Sequence, residues 1–173
     1  SKGLRPEMLY FNIVGLRNYN RQYGFEMGDK AIQNLAGILS RQFGDHRVCR
    51  FNGDHFAAVS DEDHVDEALR QVIQECETAM GGKRMSIRVG IYPNALERVD
   101  VNIACDRAKF AGDQKRGELG STVTYFNEVM LKKGEVYIYI IHSLDRALAE
   151  GWVRVYYQPI IRTSDGKVCD EEA

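Results

Sequence analysis

Long apolar runs and export signals are missing from this chain. Its longest apolar run lies at residues 136–141, far short of the roughly 20 residues that a membrane-spanning helix needs. The N-terminal residues lack the basic and apolar layout of a signal peptide. We therefore expect no membrane insertion by this segment, and a cytoplasmic location.

Strong charge and metal-ligand spacings are missing as well. The formal net charge is −2 at pH 7, and no basic run is longer than the pair Lys132-Lys133. Nucleic acids are therefore not expected partners. His46, His64 and His142 show no zinc-ligand spacing.

Cysteine pairs with redox or metal spacing are also absent. The four cysteines form no C-x-x-C motif; they are Cys49, Cys76, Cys105 and Cys169. Cys49 lies in a predicted strand, and Cys76 and Cys105 lie in predicted helices. This distribution predicts reduced core thiols of a cytoplasmic protein.

What remains is the composition of a soluble globular protein. The chain has 173 residues, of which 44% are apolar and 28% charged, enough for one domain with an appendage. Strand and helix patterns alternate along it. Strands are predicted at residues 8–14, 47–51, 55–60, 85–92 and 122–126, and helices at residues 28–43, 61–80 and 101–114. Residues 15–23 form a connection that could hold one or two helical turns. This order predicts an α+β fold, with a central, mostly antiparallel sheet flanked by helices.

Residues 127–173 are harder to interpret. Residues 136–141 have strand propensity, but apolar residues recur at helical spacing between an Asn127 cap and Gly151, which favours a helix. Residues 152–158 then return to strand character, and residues 164–166 form a turn.

The central segment Arg50-Phe51-Asn52-Gly53-Asp54-His55-Phe56 is a hairpin signal, because two apolar runs flank a short turn. Asn-Gly favours a type I′ turn, in which Asn52 would take a left-handed conformation. Taken alone, this segment suits a simple turn as well as a ligand site.

The same segment resembles the signature Arg-x-Gly-Gly-Asp/Glu-Glu-Phe of GGDEF diguanylate cyclases. Asn52 replaces the first glycine and His55 replaces the second acid. Residues 12–20 are similar to the family segment Asp-x-Asp-x-Phe-Lys-x-x-Asn, and Gly28-Asp29 to its Gly-Asp pair. The resemblance covers residues 8–126 and implies a fold like that of nucleotide cyclases and polymerase palms.

A second resemblance covers residues 144–160, which are similar to the start of an EAL phosphodiesterase domain. Gln158 lies in this stretch, and Glu172-Ala173 falls where the Glu-Ala-Leu motif begins. We therefore expect a degenerate GGDEF domain at 1–126, a connecting helix at 127–151 and a truncated EAL start at 152–173. The expected partner is an EAL domain in the same chain.

The resemblance implies a reaction in which two GTP molecules, held by facing domains with Mg²⁺, become cyclic di-GMP. The implied metal ligands are Asn12, the carbonyl of Ile13 and Asp54. Asn12 has lost the family carboxylate, Asp54 keeps its own as a catalytic remnant, and His55 replaces an acid. We expect weak or absent Mg²⁺ binding and impaired turnover, because one well-placed electrostatic contact is worth about 3 kcal/mol.

The resemblance also implies nucleotide contacts. Asn20 and Asp29 occupy the positions that read guanine, Arg17 replaces the loop lysine, and Asn52 and Gly53 belong to the nucleotide-binding turn. Asp113 falls in the place of a later phosphate lysine, which Lys115 or Arg116 could replace. Phe43 and His46 occupy the family's inhibitory positions, so no inhibitory site is expected.

Simpler structural roles remain open for these residues taken singly. Asn12 and Asn20 suit turns or caps, Asp29 suits the first turn of a helix, and His55 suits a half-buried surface. Three functions follow: an impaired module that binds GTP weakly and regulates or dimerises an EAL phosphodiesterase, a slow diguanylate cyclase, or a ligand-free interaction domain. A homodimer is expected.

Overall fold

A computed structural model describes residues 6–79 and 84–172. The chain divides into two compact units, Ser1–Leu131 and Lys132–Ala173. The elements before residue 127 are β1 (Pro6–Ile13), α1 (Leu16–Tyr23), α2 (Phe25–Phe43), β2 (Val48–Asn52), β3 (His55–Asp61), α3 (Val65–Thr78), β4 (Ile87–Pro93), α4 (Val101–Asp113) and β5 (Thr122–Tyr125). They are followed by α5 (Glu128–Ala149), β6 (Gln158–Ile161) and β7 (Val168–Glu172).

The first unit contains a five-stranded sheet in the order β2-β3-β1-β4-β5. Its neighbouring strands are antiparallel except for the parallel pair β4 and β5. The predicted α+β fold with a mostly antiparallel sheet flanked by helices is confirmed.

Residues 8–11 of the central strand β1 are apolar, because helices cover both faces of the sheet. Leu9, Phe11 and Ile13 belong to a core with residues of α2 and α3. Met8 and Tyr10 point to the opposite face and pack with alanines of α4. This buried strand carries Asn12 near its end, where the sheet meets the hairpin.

Several predicted element bounds need correction. Helix α2 begins at Phe25, so Asp29 is its fifth residue and Glu26 is the acid of its first turn. Residues 61–64 are not part of the helix that follows them, because a short 3-10 turn precedes α3. Residue 80, the predicted end of that helix, lies outside the described residues.

The predicted type I′ turn with a left-handed Asn52 is wrong. Asn52 is the last residue of β2 and pairs with His55, and a register irregularity lies between Arg50 and Asn52. Gly53, with a φ of 48°, is the turn residue that takes the left-handed region. The irregularity keeps Asn52 in the ladder, so the glycine alone supplies the unusual conformation.

The prediction of core thiols holds for only part of the set. Cys76 is buried and Cys105 half-buried, but Cys49 and Cys169 are exposed. Cys49 lies on β2, an edge strand of the sheet, and Cys169 lies on β7 of the small sheet. All four are free thiols.

The chain beyond residue 127 forms the predicted helix. The backbone N–H of Met130 donates to Asn127 Oδ1 at 3.1 Å, and Gly151 has a φ of 69° just beyond the end of α5. No described helix is both long and apolar enough to cross a membrane.

The predicted strand at residues 152–158 is wrong. Pairing begins only at Gln158, where β6 meets β7 in a two-stranded antiparallel sheet. Residues 152–157 form no ladder with the other described residues. Gln158 lies directly opposite Glu172, so the two residues of the EAL-like segment are neighbours.

Candidate functional site

A cavity of about 710 Å³ lies where β1, α1 and the β2–β3 hairpin meet. It forms because β1 ends at Ile13, Gly15 turns the chain into α1 with a φ of 75°, and the hairpin turn places Asp54 beside them. Its lining consists of Ile13, Gly15, Leu16, Arg17, Asn20, Arg21, Phe25 and Asp54.

Asn12 and Asp54 are joined by a hydrogen bond at the edge of this cavity. The Nδ2 of Asn12 donates to Asp54 Oδ2 at 2.8 Å. The register explains the contact, since Asn12 lies opposite His55 in the β1–β3 ladder. The Asn12 Oδ1 accepts from Arg88 Nη1 at 3.4 Å, so both polar atoms of this amide are engaged.

Arg88 is a residue that the sequence analysis missed. It lies opposite Asn12 on β4 and is only 7% exposed. Its Nη1 is 3.9 Å from Asp113 Oδ1, and its Nε has no partner among the described residues. A single arginine inside an apolar strand was the available signal, because arginine is rarely buried without a partner.

Asp113 and its neighbours form ion pairs at the end of α4. Arg116 Nε also lies 3.9 Å from Asp113 Oδ1, and Lys115 pairs with Glu118 at 2.9 Å. The carboxylate of Asp113 therefore lies between Arg88 and Arg116.

His55 is half-buried and contacts Tyr10 and Asp54. The Tyr10 hydroxyl and His55 Nδ1 form a hydrogen bond, and His55 Nε2 lies 3.6 Å from Asp54 Oδ1. Burial, followed by the negative charges of Asp113 and Asp54, raises the pKa of Tyr10, so its hydroxyl keeps its proton.

Asn20 lines the cavity from α1 and packs against Gly28 of α2. A Cβ added to Gly28 would lie 1.8 Å from Asn20 Oδ1. The Asn20 amide therefore occupies space that the side chain of any residue other than glycine at position 28 would fill. This oxygen is buried without a hydrogen-bond partner among the described residues. Packing rather than protein hydrogen bonds therefore holds the Asn20 side chain.

Other predicted site residues lie outside the cavity lining. Asp29 is exposed on α2, and Asn52 and Gly53 are exposed at the hairpin. The turn is held by Arg50 Nε, which donates to the carbonyl oxygen of Gly53 at 2.6 Å.

Phe43 and His46, at which no inhibitory site is expected, have different surroundings. Phe43 is buried, with its ring centroid 5.9 Å from that of Phe11. His46 is exposed in a short 3-10 helix.

The described residues contain no cluster of three or more histidines, cysteines or acids that could hold a metal ion. The described carboxylate that lines the cavity is Asp54. At this edge, Asn12 contributes an amide and Asp54 a carboxylate.

Comparison with family models decides the family. The model "Diguanylate cyclase, GGDEF domain" matches residues 4–114. The chain belongs to the GGDEF family.

Relatives of this GGDEF domain include a curated protein and solved structures. It is similar to the cyclic di-GMP phosphodiesterase NbdA of Pseudomonas aeruginosa, with 25% identity over 183 aligned positions that cover 99% of this chain. The chain spans only 23% of the length of that relative.

The solved neighbours show the fold. The GGDEF domain of TpbB or YfiN from Pseudomonas aeruginosa has a TM-score of 0.63 and 21% identity, and covers 76% of this chain and 83% of its own. An EAL/GGDEF domain protein from M. capsulatus has a TM-score of 0.62 and 17% identity, with coverage of 73% and 87%. The GGDEF domain of DgcB from Caulobacter crescentus, in complex with c-di-GMP, has a TM-score of 0.60 and 18% identity, with coverage of 71% and 78%.

Within this GGDEF domain, the fold brings only part of the predicted site into one place. Ile13, Arg17, Asn20 and Asp54 share the cavity. Asn12 is joined to Asp54. Gln158 and Glu172 belong to the second unit, where they pair with each other.

Proposed function

We propose that this GGDEF domain binds a guanine nucleotide weakly, turns it over slowly or not at all, and regulates an EAL phosphodiesterase domain in the same chain. The observation that carries the proposal is the Asn12–Asp54 hydrogen bond beside a cavity lined by Asn20. An amide satisfies the carboxylate where the family would use an acid and a metal.

Base recognition is assigned to Asn20 and Asp29. The Oδ1 of Asn20 has no hydrogen-bond partner within the described residues, and an amide with a carboxylate can read the edge of guanine. Arg17 lines the same cavity and supplies a cation for a phosphate. The cavity volume of about 710 Å³ suits a ligand of nucleotide size.

Impaired turnover follows from the charges. Asn12 and His55 both stand where the family resemblance implies acids, and Asp54 is engaged with both of them. Phosphoryl transfer depends on electrostatic stabilisation of the developing charge. Loss of two carboxylates therefore reduces turnover more than it reduces base recognition.

The regulatory role rests on the domain organisation. We assign 1–126 to the GGDEF domain, 127–151 to a connecting helix and 152–173 to the start of an EAL domain. Support comes from the adjacent Gln158 and Glu172 and from the similarity to a cyclic di-GMP phosphodiesterase. A ligand that favours one conformation shifts the population toward it, and a homodimer of the domain would transmit that shift.

A slow diguanylate cyclase is the second candidate, favoured by the Asp54 carboxylate and Ile13 in the cavity lining. Calorimetric titration with GTP, with ATP as control, and an assay for cyclic di-GMP separate the candidates. GTP-selective binding without product supports the proposal, and product supports the cyclase. Absence of binding and of product contradicts both and leaves a ligand-free interaction domain.

A further inference from the structure

Arg88 places a fixed positive charge beside the residues that would hold a metal. Its guanidinium reaches Asn12 Oδ1 at 3.4 Å, and Asn12 Nδ2 in turn donates to Asp54 at 2.8 Å. The guanidinium, the amide and the carboxylate thus form one hydrogen-bonded chain that ends at the cavity wall.

These residues do not fit Mg²⁺. A metal ligand must present an oxygen lone pair, but the Asn12 oxygen accepts from Arg88. The atom that Asn12 turns toward Asp54 is a nitrogen donor. A divalent cation between Asn12 and Asp54 would also lie close to a guanidinium, whose positive charge repels it.

The burial of Arg88 shows that this charge belongs to the fold. Its side chain is only 9% exposed and is paired with Asp113 at 3.9 Å. Arg88 is covalently part of β4, so it cannot dissociate as a hydrated metal ion can, and its nearby carboxylate reduces the cost of burying the charge.

We propose that Arg88 is a resident cation that takes the functional place of the divalent metal at the Asn12–Asp54 pair, so that the domain holds its ligand without a metal ion. The proposal rests on the nucleotide binding proposed above. It assigns Arg88 a positioning role, because the residue acts through Asn12 and Asp54.

The test titrates the intact chain with Mn²⁺ in the absence of nucleotide. Binding is measured as the decrease in the electron paramagnetic resonance signal of free Mn²⁺. Asn12→Asp alone should leave Mn²⁺ affinity within about twofold of the wild type, because the new carboxylate pairs with Arg88. Adding Arg88→Gln keeps a hydrogen-bond donor but removes the charge. The double variant should therefore bind Mn²⁺ at least about tenfold more tightly.

Two matched variants test whether the charge at position 88, rather than the net charge of the chain, controls Mn²⁺ binding. Asn12→Asp with Arg88→Lys keeps the cation and should stay without metal. Asn12→Asp with Arg116→Ser has the same net charge as the binding variant, but removes the exposed partner of Asp113, and should also stay without metal. Arg116 still neutralises Asp113 when Arg88 is replaced, which favours folding of the double variant.

A second measurement uses the unmodified chain. GTP affinity by calorimetry should be the same within about twofold in Mg²⁺ and in chelator. Equal Mn²⁺ binding by Asn12→Asp with and without Arg88→Gln would overturn the proposal, as would a tenfold or greater loss of GTP affinity on chelation. If the chain binds no GTP, the proposed function fails, while the Mn²⁺ comparison still decides the role of Arg88. If the Arg88→Gln variant does not fold, the chelation comparison decides it.

Discussion

Replacement of Gly28 by alanine should separate folding from nucleotide binding. The added Cβ would lie 1.8 Å from Asn20 Oδ1 and 2.8 Å from its Cγ, which no packing tolerates. The clash is with the end of a side chain, however, and Asn20 can rotate away. Alanine inside a helix is more favourable than glycine by about 1 kcal/mol, which offsets much of the rearrangement. We expect a change in unfolding free energy within about 1 kcal/mol of zero.

The expected effect on binding is larger. A displaced Asn20 can no longer make the hydrogen bonds that we propose to the base, and each such bond is worth about 0.5–1.5 kcal/mol. Loss of one or two corresponds to a decrease in GTP affinity of about twofold to about 150-fold.

Gly37 on the same helix provides the matched control. A Cβ there would be 3.4 Å from Arg41 Nη1, the flexible end of an exposed side chain. Gly37→Ala should raise the unfolding free energy by about 0.5–1 kcal/mol and leave GTP affinity unchanged.

The assay combines denaturant unfolding with calorimetric titration in a double-mutant cycle. Gly28→Ala, Asn20→Ala and the double variant should bind GTP equally poorly, because the first acts only through Asn20. The double variant should also be more stable than Gly28→Ala. Wild-type GTP affinity in Gly28→Ala, together with a loss in Asn20→Ala, would refute the reasoning.

Three further predictions concern stability and ligand choice. Burial, followed by the charges of two nearby carboxylates, raises the pKa of Glu7 from 4.5 to about 7. The contribution of Glu7 to the free energy of unfolding is therefore complete below about pH 4.5 and is lost as the pH rises to about 7. Glu7→Gln should flatten this pH dependence of stability and add at most about 3 kcal/mol to the free energy of unfolding at pH 8. Equal pH dependence in the two proteins would contradict this. Gly90→Ala should destabilise by at least about 3 kcal/mol in denaturant unfolding, because its Cβ would lie 1.8 Å from the backbone oxygen of Ala108, and a wild-type midpoint would show that the strand and helix can separate. Cyclic di-GMP should not bind at residues 41–50, and a micromolar complex mapped there by chemical-shift changes would contradict the expectation that this domain has no inhibitory site.

The elements of this domain could be predicted from local patterns. The apolar run of β1, the helical spacing of α2 and the Asn127 cap of α5 depend on neighbours within a few residues. The hairpin around Gly53 was recognisable in the same way, and the signature resemblance led to the correct family. The bounds were less certain, as the earlier start of α2 shows.

Strand pairing determined the structure where the local sequence pattern predicted it wrongly. Asn52 has turn propensity, but the ladder keeps it opposite His55. There, the available hydrogen-bond partner outweighed intrinsic preference.

The site is mainly a product of tertiary structure. Signature and spacing predict Asn12, Asn20 and Asp54 as site residues, since each occupies a fixed place in a short motif. Only the folded sheet places Arg88, which is 76 positions away in sequence, against Asn12, and only helix packing sets Gly28 against Asn20. Such contacts depend on strand register and helix approach, which arise from the whole core. The family of this protein was therefore readable from its sequence, whereas the positive charge beside Asn12 and Asp54 was decided by the fold.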